Sequence, residues 1–155
     1  MGTKKMICFD MDGTIADLYG VENWLEMLRN EDATPYYEAK PMWDMEQLRR
    51  ILLDLGSQGW DIRVITWLSK DSSEDYKTEV RNAKRWWLEV HRFPFEVAHM
   101  VAYGTTKADC VRKMETAEVI LIDDNAKVRD GWTLGRTIDP TACDLLKVLG
   151  DLREV

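Results

Sequence analysis

Long apolar runs are missing from this sequence of 155 residues. A run such as residues 119–122 is far shorter than the roughly 20 residues that a membrane-spanning helix needs. The first residues, Met-Gly-Thr-Lys-Lys, lead directly into a strand-like segment, without the apolar stretch and small-residue cleavage site of a secretory signal. We therefore expect a cytoplasmic protein that has no contact with a membrane.

Cysteine is also scarce, with three residues at Cys8, Cys110 and Cys143. Their number is odd, and their spacing matches no common set of metal ligands. We therefore expect reduced, buried thiols of a cytosolic protein rather than a disulfide framework or a zinc site.

An excess of positive charge is lacking as well. The chain has 21 Lys and Arg against 28 Asp and Glu, which gives a net charge of −7. Binding of a long nucleic acid depends on many cationic contacts with its backbone, so such a polymer is not the expected partner. A small phosphorylated molecule needs only one local cationic pocket and remains compatible with this charge.

What the sequence does contain is an alternation of apolar and amphipathic segments, without internal repeats. Hydrophobic residues make up 45% of the chain and charged residues 32%, as in a soluble globular protein. Apolar segments predict strands at about residues 6–9, 62–67, 97–103, 117–123 and 136–138. Helical segments between them predict βαβ units. We predict an α/β fold, a three-layer Rossmann-like parallel sheet with helices on both faces, in a single domain over residues 1–155.

Three of the helical segments have a face or a starting point that the sequence indicates. One carries an apolar stripe formed by Tyr76, Val80, Ala83, Trp87 and Val90. Its solvated face is predicted to hold Lys77, Arg81 and Lys84. A second helix is predicted from Thr105 or Thr106 to about Glu115. The last helix is predicted to begin at Asp139-Pro140, which resembles an N-cap followed by proline at the first helical position.

Two aspartates, Asp10 and Asp12, stand where the first predicted strand enters a turn. An acidic pair before glycine is common in turns, so the pair alone does not indicate a function. A calcium-binding EF-hand loop beginning at Asp10 is excluded, because Ile15 and Val21 occupy the positions that need Gly and Glu.

Further polar residues follow other predicted strands. Asp123 and Asp124 follow one strand, Thr66 ends another, and Lys107 comes shortly after a third. Ligands of parallel sheets bind beyond the carboxyl ends of the strands, where these residues fall. Four carboxylates at neighbouring strand ends repel one another, and a hard, oxygen-liganded cation such as Mg²⁺ would offset the repulsion.

These motifs, in this order, resemble those of haloacid dehalogenase (HAD) superfamily phosphatases, over about residues 5–138. The matching motifs are Asp10-Met-Asp12-Gly13-Thr14 after an apolar strand, Thr66 at a strand end, Lys107 at a helix start, and Asp123-Asp124 after an apolar strand. Within the superfamily, the sequence is most similar to the 5′-deoxyribonucleotidase-like branch, through residues 12–17, 107–110 and 121–125. Dehalogenases of the family resemble the chain less, because they lack the second aspartate of the first motif.

The resemblance implies a hydrolase of phosphoric monoesters that acts through an aspartyl-phosphate. Asp10 would be the nucleophile, and Asp12 would be the general acid and then the general base. Thr66 and Lys107 would bind the phosphoryl oxygens.

The resemblance also implies Mg²⁺ as the cofactor. The metal ligands would be Asp10, the backbone carbonyl of Asp12, and Asp124. Asp123 would orient Lys107 or the water molecules on the metal.

The family usually selects its substrate with a cap, and the slot for one here is short, at about residues 17–44. We expect a minimal helical cap and a fairly open site. Its aromatic side chains either pack together or stack on a flat substrate group, and the candidates are Trp24, Tyr36, Trp43 and Trp67. The substrate is predicted to be a nucleotide 5′-monophosphate, another small phosphorylated metabolite, or a polynucleotide end.

Two other classes of protein remain open. Receiver domains also combine acidic residues, Mg²⁺, Thr and Lys, but their phosphoryl-accepting aspartate lies on a middle strand, where this chain has Thr66. A non-catalytic phosphoryl-binding module would not need competent residues at every catalytic position. The protein is expected to be a monomer or a homodimer, the latter through exposed aromatic residues of the cap.

Overall fold

The computed structural model describes residues 4–114 and 116–154, in which strands and helices alternate. The strands are β1 (Lys4–Phe9), β2 (Ala16–Asp17), β3 (Lys40–Pro41), β4 (Trp60–Trp67), β5 (Val97–Val101), β6 (Thr116–Ile122) and β7 (Thr137–Ile138). The α-helices are α1 (Trp24–Arg29), α2 (Thr34–Glu38), α3 (Met45–Ser57), α4 (Glu74–Val90), α5 (Ala126–Asp130) and α6 (Leu145–Asp151). Short 3₁₀ helices cover Leu18–Gly20 and Lys107–Cys110. None of the helices in the described ranges combines the length and apolar composition that a membrane crossing requires.

β1 lies at the centre of a five-stranded sheet with the order β5-β4-β1-β6-β7. All neighbouring strands of this sheet run parallel. Phe9, the last residue of β1, pairs with Val64 of β4 on one side and with Ile122 of β6 on the other. The carboxyl ends of the three central strands therefore meet at one edge of the sheet. The predicted α/β fold with a Rossmann-like parallel sheet is confirmed.

Apolar side chains cover both faces of this sheet, since successive residues of a strand point to opposite faces. Ile7 and Phe9 face a core cluster that also contains residues of α3, α4 and α6. Met6 and Cys8 face a second cluster, with Ala108 of the second 3₁₀ helix. Burying one Leu, Ile or Phe side chain contributes about 1.5–3 kcal/mol, so the two clusters hold the sheet and its flanking helices together.

Residues 18–39 form a small helical insertion between β2 and β3. These two strands pair antiparallel, with Ala16 opposite Pro41 and Asp17 opposite Lys40, and they close the base of the insertion. α1 and α2 lie within it, inside the span of 17–44 predicted for the cap. We refer to residues 18–39 as the cap segment.

Hydrogen bonds fasten the cap segment to the start of α4. Ser73, the N-cap of α4, donates from its backbone N to Glu31 Oε2 at 2.8 Å and from Oγ to Glu31 Oε1 at 2.7 Å. The Tyr76 hydroxyl donates to the carbonyl oxygen of Asp32 at 3.0 Å. The cap segment therefore rests on α4 as well as on its own strands.

The buried face of α4 differs from the prediction at two positions. Four apolar residues of the stripe are buried as predicted, namely Tyr76, Val80, Ala83 and Trp87. The prediction of a solvated Lys84 is wrong, because its side chain is 0% exposed. Lys84 lies four residues after Val80 and three before Trp87, so the helical repeat turns it toward the same face. Val90 is 50% exposed, because it is the last residue of the helix and lies beyond the core.

Two other predicted helices also differ from the structure, one in length and one in its start. After Thr106 the chain forms only the 3₁₀ helix Lys107–Cys110, because Val111 leaves the helical region with φ of −129°. Glu115, the predicted end of that helix, lies outside the described residues. Asp139 closes a turn by accepting hydrogen bonds from the backbone N and Oγ1 of Thr141, so α6 begins later, after the N-cap Asp144.

Candidate active site

The polar residues that were predicted from three separate parts of the chain meet at the carboxyl edge of the sheet. Asp10 follows β1, Thr66 lies near the end of β4, and Asp123 follows β6. The backbone N of Asp10 donates to the carbonyl oxygen of Ile122 at 2.9 Å, which continues the pairing of β1 and β6 past the last strand residue. The parallel register therefore places Asp10 and Asp123 side by side.

Lys107 connects these two aspartates. Its Nζ donates to Asp10 Oδ1 at 2.9 Å and to Asp123 Oδ2 at 2.8 Å. All three residues are buried. Burial acts to lower the pKa of Lys107, but the charges of Asp10 and Asp123 outweigh it and hold that pKa above its ordinary value. Lys107 is therefore a charged ammonium group that contacts the predicted nucleophile.

Thr14 connects the first motif with Asp124. Its Oγ1 contacts Asp10 Oδ2 at 3.2 Å and Asp124 Oδ1 at 3.3 Å, and it accepts a hydrogen bond from the Asp124 backbone N at 3.2 Å. Gly13 before it has φ of +81°, and a Cβ at this position would lie 2.5 Å from Asp124 Oδ2. The turn after β1 therefore needs glycine both for its conformation and for the approach of Asp124.

Asp12 contacts Lys84, and not the lysine that connects Asp10 and Asp123. Lys84 Nζ donates to Asp12 Oδ2 at 3.0 Å, to Thr66 Oγ1 at 2.6 Å and to the carbonyl oxygen of Trp67 at 2.8 Å. Burial raises the pKa of Asp12, and the charge of Lys84 partly opposes this effect. Sequence reasoning missed Lys84 as a site residue. Its position on the apolar stripe of α4 was the signal that could have found it.

Three carboxylates form a group that could hold a metal ion. Asp10, Asp123 and Asp124 each offer one oxygen, and these oxygens lie within 4.8 Å of one another. The predicted set used Asp10, the backbone carbonyl of Asp12, and Asp124. The structure adds Asp123 to the carboxylate group. The Asp12 carboxylate, which the predicted set did not use, contacts Lys84.

The charge of this group fits a divalent cation. Burial, a hydrogen bond with Asp10 and the negative charges of Asp10 and Asp123 raise the pKa of Asp124 to about 7. Burial and the charge of Asp10 also raise the pKa of Asp123. Lys107 alone therefore does not neutralise the three carboxylates. Mg²⁺ prefers such hard oxygen ligands and would supply the missing positive charge.

A cavity of about 710 Å³ opens above these residues. Its floor includes Asp10, Asp12, Thr66, Lys107, Asp123 and Asp124. Its walls combine side chains of the cap segment with the loops after β4 and β5, and they include Tyr19, Trp24, Leu25, Arg29, Tyr36, Ser69, Lys70 and Tyr103. The Tyr36 hydroxyl and Ser69 Oγ lie 3.0 Å apart and join the two walls. The floor of the cavity therefore carries charges of both signs, and its walls mix aromatic side chains with aliphatic and polar ones.

Of the predicted substrate contacts, Trp24, Tyr36 and Trp67 line this cavity. Trp43 is placed elsewhere, since it packs against the main core and donates from Nε1 to the carbonyl oxygen of Thr14 at 2.8 Å. Trp43 therefore supports the turn after β1 rather than the cavity wall.

Two further tyrosines of the cavity wall were not predicted. The Tyr19 and Trp24 rings form an edge-to-face pair with centroids 4.9 Å apart, and the Trp67 and Tyr103 rings form a tilted pair at 5.0 Å. Each of these tyrosines therefore contacts the ring of an aromatic residue that was predicted as a substrate contact.

Comparison with known proteins adds a structural relative but no sequence family. No known family model matches the chain, and a search of curated proteins finds no match. Among solved structures, the chain is similar to the D,D-heptose 1,7-bisphosphate phosphatase from Burkholderia thailandensis, with a TM-score of 0.51 and 16% sequence identity. The match covers 86% of this chain and 75% of that one. It lends no support to the 5′-deoxyribonucleotidase-like branch. The chain therefore shares the α/β fold of a phosphatase at low sequence identity.

Proposed function

We propose that this protein is a Mg²⁺-dependent phosphomonoester hydrolase that forms an aspartyl-phosphate on Asp10. The observation that carries the proposal is the placement of Asp10 on the cavity floor, between Lys107 and Thr14 and beside the carboxylate group of Asp123 and Asp124. A carboxylate next to a fixed cation and a metal-binding group is suited to phosphoryl transfer through a covalent intermediate. The fold shared with a known phosphatase supports the proposal at a coarser level.

In the first step, an Asp10 carboxylate oxygen attacks phosphorus as the bond from phosphorus to the leaving oxygen breaks. Asp12 gives its proton to that oxygen, so the alcohol leaves neutral. Lys107 uses two of its three N–H donors on Asp10 and Asp123, which leaves one for a phosphoryl oxygen. Thr66, which also lines the cavity, donates to another phosphoryl oxygen.

In the second step, water attacks phosphorus and Asp12, now ionised, accepts its proton. The bond from phosphorus to the Asp10 oxygen breaks, which regenerates the Asp10 carboxylate and releases inorganic phosphate. Asp10, Asp123 and Asp124 would hold Mg²⁺, which, when bound, offsets the negative charge of the phosphoryl group. The same two aspartates of the first motif therefore serve both steps.

The cavity walls favour a substrate with a flat group attached to the phosphate. The four residues of the aromatic pairs Tyr19–Trp24 and Trp67–Tyr103 all line the cavity. Aromatic faces of this kind stack on nucleobases. We therefore place a nucleoside 5′-monophosphate first, followed by another small phosphorylated metabolite. A polynucleotide end ranks third, because the chain carries a net charge of −7.

The test is phosphate release from a panel of nucleoside monophosphates, sugar phosphates and an aryl phosphate, with Mg²⁺ and with EDTA. Mg²⁺-dependent release from the wild-type protein, absent in Asp10→Asn, is the expected result. Release that persists in Asp10→Asn would contradict the proposed nucleophile. No release from any substrate by folded, Mg²⁺-supplied protein would favour a non-catalytic phosphoryl-binding module.

A further inference from the structure

Lys84 is the one buried charged residue of α4 among the described residues, and the two proposed steps do not use it. Its side chain is 0% exposed, and its Nζ is also 5.2 Å from the centroid of the Tyr36 ring. Burying an ammonium group is costly, and a lysine is rarely kept fully buried without specific partners. The partners that surround Lys84 therefore indicate its role.

The three N–H donors of Lys84 match three acceptors. These are Asp12 Oδ2, Thr66 Oγ1 and the carbonyl oxygen of Trp67. An ammonium group has three donors and no acceptor, so no donor of Lys84 is left for a substrate. Lys84 can therefore act on a substrate only through the groups that it holds.

The hydrogen bond to Thr66 sets the direction in which the threonine hydroxyl donates. Because Thr66 Oγ1 accepts from Lys84 at 2.6 Å, its own hydrogen must point to a different acceptor. Thr66 lines the cavity floor, where a phosphoryl oxygen would be such an acceptor. The hydrogen bond from Lys84 therefore leaves the hydroxyl hydrogen of Thr66 free to donate to the phosphoryl group.

The hydrogen bond to Asp12 fixes the carboxylate in a similar way. Lys84 occupies Asp12 Oδ2 at 3.0 Å, which leaves Oδ1 to exchange a proton with the leaving oxygen or with water. Without this contact the Asp12 side chain could rotate about its side-chain torsion angles, and a fixed carboxylate needs less reorganisation during the reaction. Lys84 is the contact that ties this carboxylate to β4 through Thr66 and Trp67.

We infer that Lys84 is a positioning residue that holds Asp12 and Thr66 in the geometry for proton transfer and phosphoryl binding. This inference rests on the proposed function. The inference gives the two buried lysines of the site different roles. Lys107 contacts the nucleophile and the phosphoryl group, whereas Lys84 acts through the general acid and base.

The experiment compares phenyl phosphate with p-nitrophenyl phosphate, which share a ring but differ in the basicity of the leaving oxygen. Phenolate needs a proton from Asp12 more than nitrophenolate does. We expect Lys84→Met to lower kcat/KM for phenyl phosphate at least about tenfold more than for p-nitrophenyl phosphate. In an Asp12→Asn background, adding Lys84→Met leaves the ratio of the two kcat/KM values unchanged, since the group that it positions is already gone.

Controls separate positioning from folding. Lys77→Met changes another lysine of α4, which pairs with Glu74 at the surface, and it leaves both kcat/KM values unchanged. Lys84→Gln retains hydrogen-bond donors without the charge and is measured alongside, with circular dichroism and the Tm of each variant. If neither Lys84 variant folds, the lysine is a structural group and the inference is overturned.

The kcat/KM values of folded Lys84→Met and of the wild-type protein test the inference and the proposed function separately. Equal losses on both substrates in folded Lys84→Met overturn the inference while leaving the proposed function intact. If the wild-type protein hydrolyses neither substrate nor any other phosphomonoester, the proposed function fails and the inference fails with it. A selective loss on phenyl phosphate, absent in the Asp12→Asn background, supports both.

Discussion

Lys107 Nζ lies 2.9 Å from Asp10 Oδ1, although the two residues are 97 positions apart in the chain. The contact exists because β1 and β6 are neighbours and the 3₁₀ helix Lys107–Cys110 packs on the face of the sheet beside them. A buried cation is thereby held at the predicted nucleophile before any substrate arrives. Such preorganisation stabilises the charge of a transferring phosphoryl group without rearrangement of the site.

The first prediction concerns the structural cost of removing this cation. Lys107→Met leaves the buried carboxylates of Asp10 and Asp123 without their ammonium partner, and breaking a buried pair in this way costs about 3–5 kcal/mol. Urea unfolding in EDTA measures the free energy of unfolding. Lys147→Met is the control, because its pair with Asp151 is about 70% exposed on both sides and its loss changes stability little. Equal free energies of unfolding for the two variants would contradict a stabilising contact of Lys107 with Asp10 and Asp123.

The second prediction concerns Mg²⁺ and pH. The Asp124 carboxyl must be ionised to bind a metal, and its pKa of about 7 lies above the ordinary value, so protons compete with Mg²⁺ below about pH 7. Affinity for Mg²⁺ should rise about tenfold between about pH 6 and about pH 8. Isothermal titration calorimetry measures it directly. Asp124→Asn should weaken binding and remove most of this pH dependence, and a pH-independent affinity in the wild-type protein would contradict the assignment.

The third prediction concerns Gly13. In Gly13→Ala, the new Cβ meets Asp124 Oδ2 at 2.5 Å in a backbone conformation with φ of +81°, so the Asp124 carboxylate must shift from its place in the carboxylate group. We expect at least about a tenfold loss of Mg²⁺ affinity and a destabilisation of about 1 kcal/mol or more. Gly56→Ala is the matched control, because nothing lies within 4 Å of its added Cβ and its place in α3 favours alanine. Unchanged Mg²⁺ affinity in Gly13→Ala would show that the turn does not hold Asp124.

The fourth prediction concerns the aromatic walls. Replacing Tyr103 with Leu removes the ring that lies 5.0 Å from Trp67, and stacking on a base is lost with it. KM for a nucleoside monophosphate should rise up to about tenfold, while KM for ribose 5-phosphate stays nearly unchanged. Trp86→Leu is the control, because Trp86 is 44% exposed and pairs with Tyr37, and neither residue lines the cavity. Equal changes in KM for both substrates would remove the argument for a flat substrate group.

Much of the fold and of the cavity floor could be predicted from the sequence for one physical reason. Strands of a parallel sheet end at a common edge, so the residues that follow apolar strands converge without any knowledge of long-range contacts. Asp10, Thr66, Asp123 and Asp124 are found together on this basis. Lys107 was also indicated, although the helix predicted for it is only a 3₁₀ helix.

The rest depends on contacts that local patterns do not encode. The helical repeat places Lys84 on the buried face of α4, but its partner Asp12 is 72 positions away and does not follow from that repeat. The cap segment rests on α4 through Glu31 and Ser73, whose pairing has no counterpart in the spacing of apolar residues. Trp43 was indicated by residue type alone, and only the fold turns it toward Thr14 instead of the cavity.

The most direct test of the central claim is a search for the covalent intermediate. The protein is mixed with Mg²⁺ and a radiolabelled phosphomonoester taken from the panel, then quenched in acid before one turnover is complete, and the labelled peptide is identified by mass spectrometry. We predict label on the peptide that contains Asp10, in a bond that neutral hydroxylamine cleaves, and none in Asp10→Asn. Rapid phosphate release with no label on the protein, or label on another residue, would contradict the proposed mechanism.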